Sequence, residues 1–156
     1  MAIVLFDTNI LIDNLAGHVA AAVELASYDD AIICSISYIE VACKMTVMEK
    51  QAFKAFLAAA GIQIVHPDDL IMDLASELRG ASIISPPKIP VADCIIRATA
   101  ETQNRMVVTR NPADFGGSGP MVRVPYDLVD GVVVNIQPLP PLPRAILVIL
   151  LGSSSL

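Results

Sequence analysis

Short apolar runs of strand length, each followed by residues with helical periodicity, constrain this chain more than any other feature. Residues 2–6, 31–34, 62–65 and 105–109 are dominated by aliphatic side chains and are too short for helices, and 121–124 offers a fifth such run. Helical spacing is expected at 10–16, 18–28, 37–47, 49–60, 68–78 and 90–103, with Gly17, Gly61 and Gly80 marking stops and Asp68 or Asp69 a cap. Near-continuous apolar strands alternating with helices build a mostly parallel sheet covered on both faces. The expected fold class is therefore α/β, with a central sheet of four to five strands flanked by helices.

In an open parallel sheet, ligands collect outside the carboxyl ends of the strands. The acids of this chain fall at such places. Asp7 ends the first strand, Glu40 lies at the start of the helix after the second, Asp93 lies in the first turn of the helix opened by Pro90, and Asp114 follows the fourth strand. Each has an ordinary structural role open to it. Asp7 could cap a helix. Ser37-Tyr38-Ile39-Glu40 fits a capping box. Asp93 could complement a helix dipole, and Asp114 could serve the helix start at Asn111-Pro112. Capping alone does not explain why so many helix starts on one edge are acidic.

Gathering these acids is costly. Two carboxylates ~5 Å apart repel by about 3 kcal/mol at an effective dielectric near 20. Four together cost on the order of 10–20 kcal/mol, comparable to a domain's whole stability. Such a cluster persists by taking up protons or a cation, and all-oxygen donors favour a hard ion, Mg²⁺ or Mn²⁺. His18 and His66 are far apart in the sequence and off the strand ends, which gives zinc little support. A carboxylate-held divalent ion deprotonates water and neutralises charge on a phosphodiester. It would also let an acidic chain, of net charge −6, act on a polyanion without a global basic field. Lys44, Lys88, Arg97 and Arg110 are then candidate phosphate contacts at the rim, Arg97 having an equal claim to a salt bridge with Asp93 or Glu101. Thr8, Thr109 and Asn111 are supporting polar residues able to orient a carboxylate or water.

Composition excludes other classes. Hydrophobic residues make up 54% and charged residues 17%, far from a disordered tail. There is no Trp, so an aromatic stacking platform for bases is not expected. Cys34, Cys43 and Cys94 are widely spaced and read as small buried residues in a reducing cytosol. The first residues lack the basic start of a signal peptide, and the aliphatic run at 145–151 is too short to span a bilayer, so a cytoplasmic protein without membrane contact is expected.

Four blocks in order carry a family pattern: Phe6-Asp7-Thr8-Asn9-Ile10-Leu11-Ile12-Asp13, Ser37-Tyr38-Ile39-Glu40-Val41, Val91-Ala92-Asp93-Cys94-Ile95-Ile96-Arg97-Ala98-Thr99-Ala100, and Val107-Val108-Thr109-Arg110-Asn111-Pro112-Ala113-Asp114-Phe115. Over residues 2 to about 125 the chain resembles the PIN domain family, and within it the VapC-type toxin ribonucleases of toxin–antitoxin pairs. The resemblance implies a three-layer α/β/α fold and an Mg²⁺- or Mn²⁺-dependent endoribonuclease. Its metal ligands and catalytic acids would be Asp7, Glu40, Asp93 and Asp114, with Asp7 and Asp93 the central pair, and Thr109 and Asn111 at supporting polar positions. It further implies an RNA substrate, a homodimer, and a small antitoxin that inhibits the toxin from within its groove. Two other readings compete. One is a PIN-like module that binds RNA or protein without cutting. The other is an Asp-dependent phosphatase or receiver-type domain, which would need an acid two positions after Asp7, where Asn9 stands.

The pattern does not extend to the C-terminus. The expected division is a nuclease domain at 1–126 and an extension at 127–156. That extension holds the segment Pro-Leu-Pro-Pro-Leu-Pro-Arg at 138–144, expected to be polyproline II, and the aliphatic end.

Overall fold

A computed structural model describes residues 3–139. The chain runs through β1 (Ile3–Phe6), α1 (Thr8–Leu15), α2 (Val19–Leu25), β2 (Asp30–Cys34), α3 (Ser35–Ala42), α4 (Val47–Ala59), β3 (Ile62–Val65), α5 (Asp69–Ile84), α6 (Val91–Thr102), β4 (Met106–Val108), a 3₁₀ turn (Pro112–Phe115), β5 (Val122–Arg123), β6 (Asp127–Val129) and β7 (Val132–Val134). The first five strands form one sheet in the order β3-β2-β1-β4-β5, every pairing parallel, while β6 and β7 make a separate antiparallel hairpin.

The side-chain alternation of a strand splits the core in two. Val4 and Phe6 join Ile33, Ile10, Leu25, Val41, Phe53 and Leu57 beneath α1–α4. Leu5 joins Ile32, Cys34, Ile71, Ala75 and Ile96 beneath α5 and α6. Three layers result, as expected. With β1 central, both its neighbours, β2 and β4, end at the same edge, and the loops leaving β1, β2 and β4 share one crevice.

Several local expectations are corrected. The helix after β2 starts at Ser35, two residues before Ser37, with Cys34 as its N-cap, so the capping box at Ser37–Glu40 does not form. The capping box that does form joins Thr46 and Glu49 at the start of α4. Gly80 does not stop α5, which continues to Ile84. Tertiary packing overrides the weak local preference there: Ser82 is buried, and Arg79 donates to the carbonyl of Ile89 at the entrance to α6. Cys34 and Cys94 are buried, but Cys43 is exposed, because the C-cap of α3 falls on the solvent side. His18 is the half-exposed residue before α2 and His66 is exposed after β3. The hairpin sets Val133 against the same apolar cluster that buries Tyr126. Most of the proline-rich stretch and all of the aliphatic end lie outside the described residues. No helix among the described residues is long and apolar enough to cross a membrane.

Candidate metal centre

Asp7 occupies the point where β1 turns into α1. Its extended backbone makes it the N-cap, its Oδ1 accepting from the Thr8 amide at 2.7 Å. Capping is only part of its role. Oδ2 accepts from the Thr109 hydroxyl at 2.7 Å and from Asn9 Nδ2 at 2.8 Å. Burial pushes the Asp7 carboxyl above its ordinary range, the charges of Glu40 and Asp114 push the same way, and the donors Thr109 and Thr8 oppose them. A carboxylate held by three donors in a buried crevice has a fixed direction, which a metal ligand needs.

Glu40 comes from the second turn of α3, not the first. Free of the capping box, it accepts from the Thr8 hydroxyl. That hydroxyl also lies 3.0 Å from Ser37 Oγ. A carboxylate can only accept, so the single Thr8 proton serves Glu40, and Ser37 can supply its own proton to Thr8. Asp114 sits in the 3₁₀ turn after β4, where Asn111 Nδ2 donates to its Oδ2. The Asn111 amide meanwhile donates to Thr109 Oγ1 at 2.9 Å. Thr8, Thr109 and Asn111 thus each hold an acid or its neighbour in place.

Asp93 stands in the first turn of α6, partly buried. Its carboxyl is raised to about 6, first by burial and then by the charges of Asp7, Asp114 and Glu40. Four acids from four separate chain segments therefore lie within electrostatic reach of one another. No protein hydrogen bond found among the described residues reaches the Asp93 carboxylate. A partly buried carboxylate pressed by three like charges is one that a cation would stabilise.

The donor set is all oxygen, the chemistry preferred by Mg²⁺ and Mn²⁺. Among the described residues no group of three or more His, Cys, Asp or Glu is drawn into a ready-made cage.

The basic residues are disposed differently. Arg97 pairs with Glu101 at 2.7 Å, the i,i+4 bridge on α6, and its guanidinium lies beside Gly116, where an added Cβ would come within 3.2 Å. Arg110 is directed inward, its Nε and Nη2 on the two oxygens of buried Asp13 at 2.6 and 3.1 Å. Neither side chain stands free at the rim. Lys44 and Lys88 are exposed and make no ion pair among the described residues. Sequence reading missed Asn9 and Ser37 as site residues. Asn9 had a signal, its position two residues after Asp7, where a side-chain amide can bond back within the turn. The role of Ser37 depends on contact with Thr8 and had no local signal.

A PIN domain model matches residues 4–115, a span that includes all four acids. A search of curated proteins found no match. Among solved structures, a toxin–antitoxin complex from Klebsiella pneumoniae is similar at 30% identity and a TM-score of 0.66, with 80% of this chain and 99% of that chain covered. The DNA-bound VapBC from Salmonella typhimurium shares the fold at 18% identity and a TM-score of 0.61, covering 79% of this chain and 96% of its own. FitAcB from Neisseria gonorrhoeae shares it at 22% identity and a TM-score of 0.57, covering 73% and 91%. With its acids converging at the carboxyl edge of a β3-β2-β1-β4-β5 parallel sheet and the family match spanning most of its length, the chain belongs to the PIN domain family.

Proposed function

We propose that this chain is the ribonuclease toxin of a toxin–antitoxin pair, an Mg²⁺- or Mn²⁺-dependent endonuclease acting on RNA in the cytoplasm. The observation that carries the reading is the convergence of Asp7, Glu40, Asp93 and Asp114, with no hydrogen bond among the described residues reaching the Asp93 carboxylate and that carboxyl raised by burial and by the other three charges. The similarity to the Klebsiella pneumoniae toxin–antitoxin complex supports the biological setting. It supports an antitoxin partner as well, and a homodimer is the assembly we propose for the toxin itself. The nuclease domain would be 1–126, with 127–156 as an extension.

Asp7 and Asp93 would hold the ion between β1 and α6. When bound, a divalent ion lowers the pKa of a coordinated water and neutralises charge developing on the phosphodiester. Thr109, Asn9 and the Thr8 amide keep the Asp7 oxygens aimed into the crevice. Thr8 fixes the Glu40 carboxylate and Asn111 that of Asp114, so both can accept hydrogen bonds from water beside the phosphate. Products would carry a 5′-phosphate and a 3′-hydroxyl. Exposed Lys44 and Lys88 are the proposed RNA contacts, whereas Arg97 and Arg110 are engaged by carboxylates of the same chain.

The test is cleavage of a structured RNA by purified protein with Mn²⁺, with excess EDTA, and with Asp93→Asn. Cleavage in the first arm alone is expected. Full cleavage in EDTA, or by a folded Asp93→Asn protein, would refute the reading.

A further inference from the structure

The chain contains two buried clamps of the same design, each a carboxylate gripped by an arginine and a tyrosine. In one, Glu24 on α2 accepts from Arg123 Nε at 2.6 Å, Arg123 Nη2 at 3.1 Å and the Tyr28 hydroxyl at 2.6 Å. In the other, Asp13 on α1 accepts from Arg110 Nε at 2.6 Å, Arg110 Nη2 at 3.1 Å and the Tyr126 hydroxyl at 2.9 Å. Both carboxylates are nearly inaccessible to solvent, at 2% and 3% exposure. Each clamp ties a helix of the first third of the chain to a segment about a hundred residues later. They differ in their tyrosines: Tyr28 lies four residues from Glu24, whereas Tyr126 lies 113 residues from Asp13.

Their surroundings differ. Arg110 directly follows Thr109, the hydroxyl donor to Asp7. The backbone amide of Arg110 donates to Asn9 Oδ1 at 3.2 Å. That bond settles which end of the Asn9 amide faces which way, because an N–H needs an oxygen opposite it. Asn9 Nδ2 is consequently turned toward Asp7 Oδ2, at 2.8 Å, and toward Thr109 Oγ1, at 3.2 Å. A continuous path therefore runs from the Tyr126 hydroxyl through Asp13 and the Arg110 side chain to the Arg110 backbone, then through Asn9 to the carboxylate proposed as central metal ligand. The Glu24 clamp reaches the site only through the β4–β5 sheet pairing, where the Thr109 amide donates to the Arg123 carbonyl at 3.0 Å, and no hydrogen bond found among the described residues links that clamp to the side chains of Asn9 or Asp7.

We infer that Tyr126, Asp13, Arg110 and Asn9 form a positioning relay for Asp7, so that metal binding at the β1–β4 edge depends on a tyrosine lying beyond the family-matched residues 4–115. None of the four need touch the ion. The relay fixes the backbone at the end of β4, and that backbone fixes the amide which orients the ligand. Orientation of metal ligands by their hydrogen-bond partners is worth roughly 10–100-fold in affinity when the partner is direct. Acting one step further out, the clamp should contribute less. Arg110 accordingly belongs to the positioning set and not to the RNA-contacting rim. The inference rests on the proposed metal site, so its test must separate the two.

The experiment is calorimetric titration of Mn²⁺ into the full chain, alongside thermal melts. The variants are Asp7→Asn, Arg110→Gln, Arg110→Lys, Tyr126→Phe and Tyr28→Phe. Arg110→Gln should weaken Mn²⁺ affinity by roughly three- to tenfold, and Tyr126→Phe by about two- to threefold, both in protein that is folded at the titration temperature. Arg110→Lys, which keeps the charge but not the planar fork, should recover part of the loss. Tyr28→Phe removes the equivalent hydroxyl from the other clamp. It should leave Mn²⁺ affinity unchanged, whatever its effect on the melting temperature. Wild-type affinity in both Tyr126→Phe and Arg110→Gln overturns the relay alone, provided that Asp7→Asn abolishes binding. Equal weakening by Tyr28→Phe also overturns it, since the effect would then be general loosening. Wild-type affinity in Asp7→Asn overturns the metal site and the relay together.

Discussion

Replacing Asp93 with asparagine should stabilise the metal-free protein at neutral pH while destroying its activity. In the folded chain the Asp93 carboxyl keeps its proton up to about pH 6, whereas its ordinary value is 3.8. Between those values the folded state binds the extra proton. Stability therefore falls as pH rises through that window and stays reduced above about 6. Unscreened, the shift corresponds to about 3 kcal/mol. Asp93 is partly open to solvent, which reduces that to about 1–2 kcal/mol. For a chain of this size, 1 kcal/mol moves the melting temperature by about 2–4 °C. Asp93→Asn should thus melt about 3–6 °C higher than wild type at pH 7.5 in EDTA, with the difference shrinking toward zero near pH 4. Mn²⁺ at a hundredfold excess over its dissociation constant should reverse the order, because wild type alone would gain about 2.7 kcal/mol. Scanning calorimetry over pH, with and without Mn²⁺, reads all of this. An Asp93→Asn protein no more stable than wild type at pH 7.5 in EDTA, with no dependence on pH, would refute the electrostatic reasoning.

Other outcomes follow from single contacts. Thr8→Val removes the hydroxyl that holds Glu40 and should lower the RNA cleavage rate by about tenfold, with a loss of stability near 1 kcal/mol, measured by initial rates and urea melts. Arg123→Ala leaves Glu24 buried and unpaired and should cost about 3–5 kcal/mol in urea denaturation. Of the three cysteines, Cys43 alone should react rapidly with a thiol reagent in the native state, and Cys34 and Cys94 only after denaturation, as counted by absorbance or mass.

The parts of this molecule legible from its sequence are those set by local pattern. The strands at 3–6, 30–34, 62–65 and 106–108 show themselves as short aliphatic runs, and a buried parallel sheet follows from their lack of polar alternation. Asp7, Glu40, Asp93 and Asp114 are legible as site candidates because each sits near the end or start of an element at one sheet edge. What escapes is whatever depends on a partner distant in the chain. Ser37 and Glu40 read locally as a capping box, yet Thr8, 32 residues before Glu40, takes that carboxylate. Arg110 reads as a free cation beside an acidic edge, but Asp13 claims it from 97 residues away. Gly80 reads as a helix end, and the packing of α5 against the entrance of α6 carries the helix past it. Local signals set where chemistry can occur; contacts across the sheet decide which groups remain available for it.

The central claim is that a divalent ion binds between Asp7 and Asp93. Crystals soaked in Mn²⁺ and measured at the manganese absorption edge test it directly. An anomalous peak within bonding distance of carboxylate oxygens from both residues is predicted, whereas peaks only elsewhere on the molecule, or none at millimolar Mn²⁺, would contradict it.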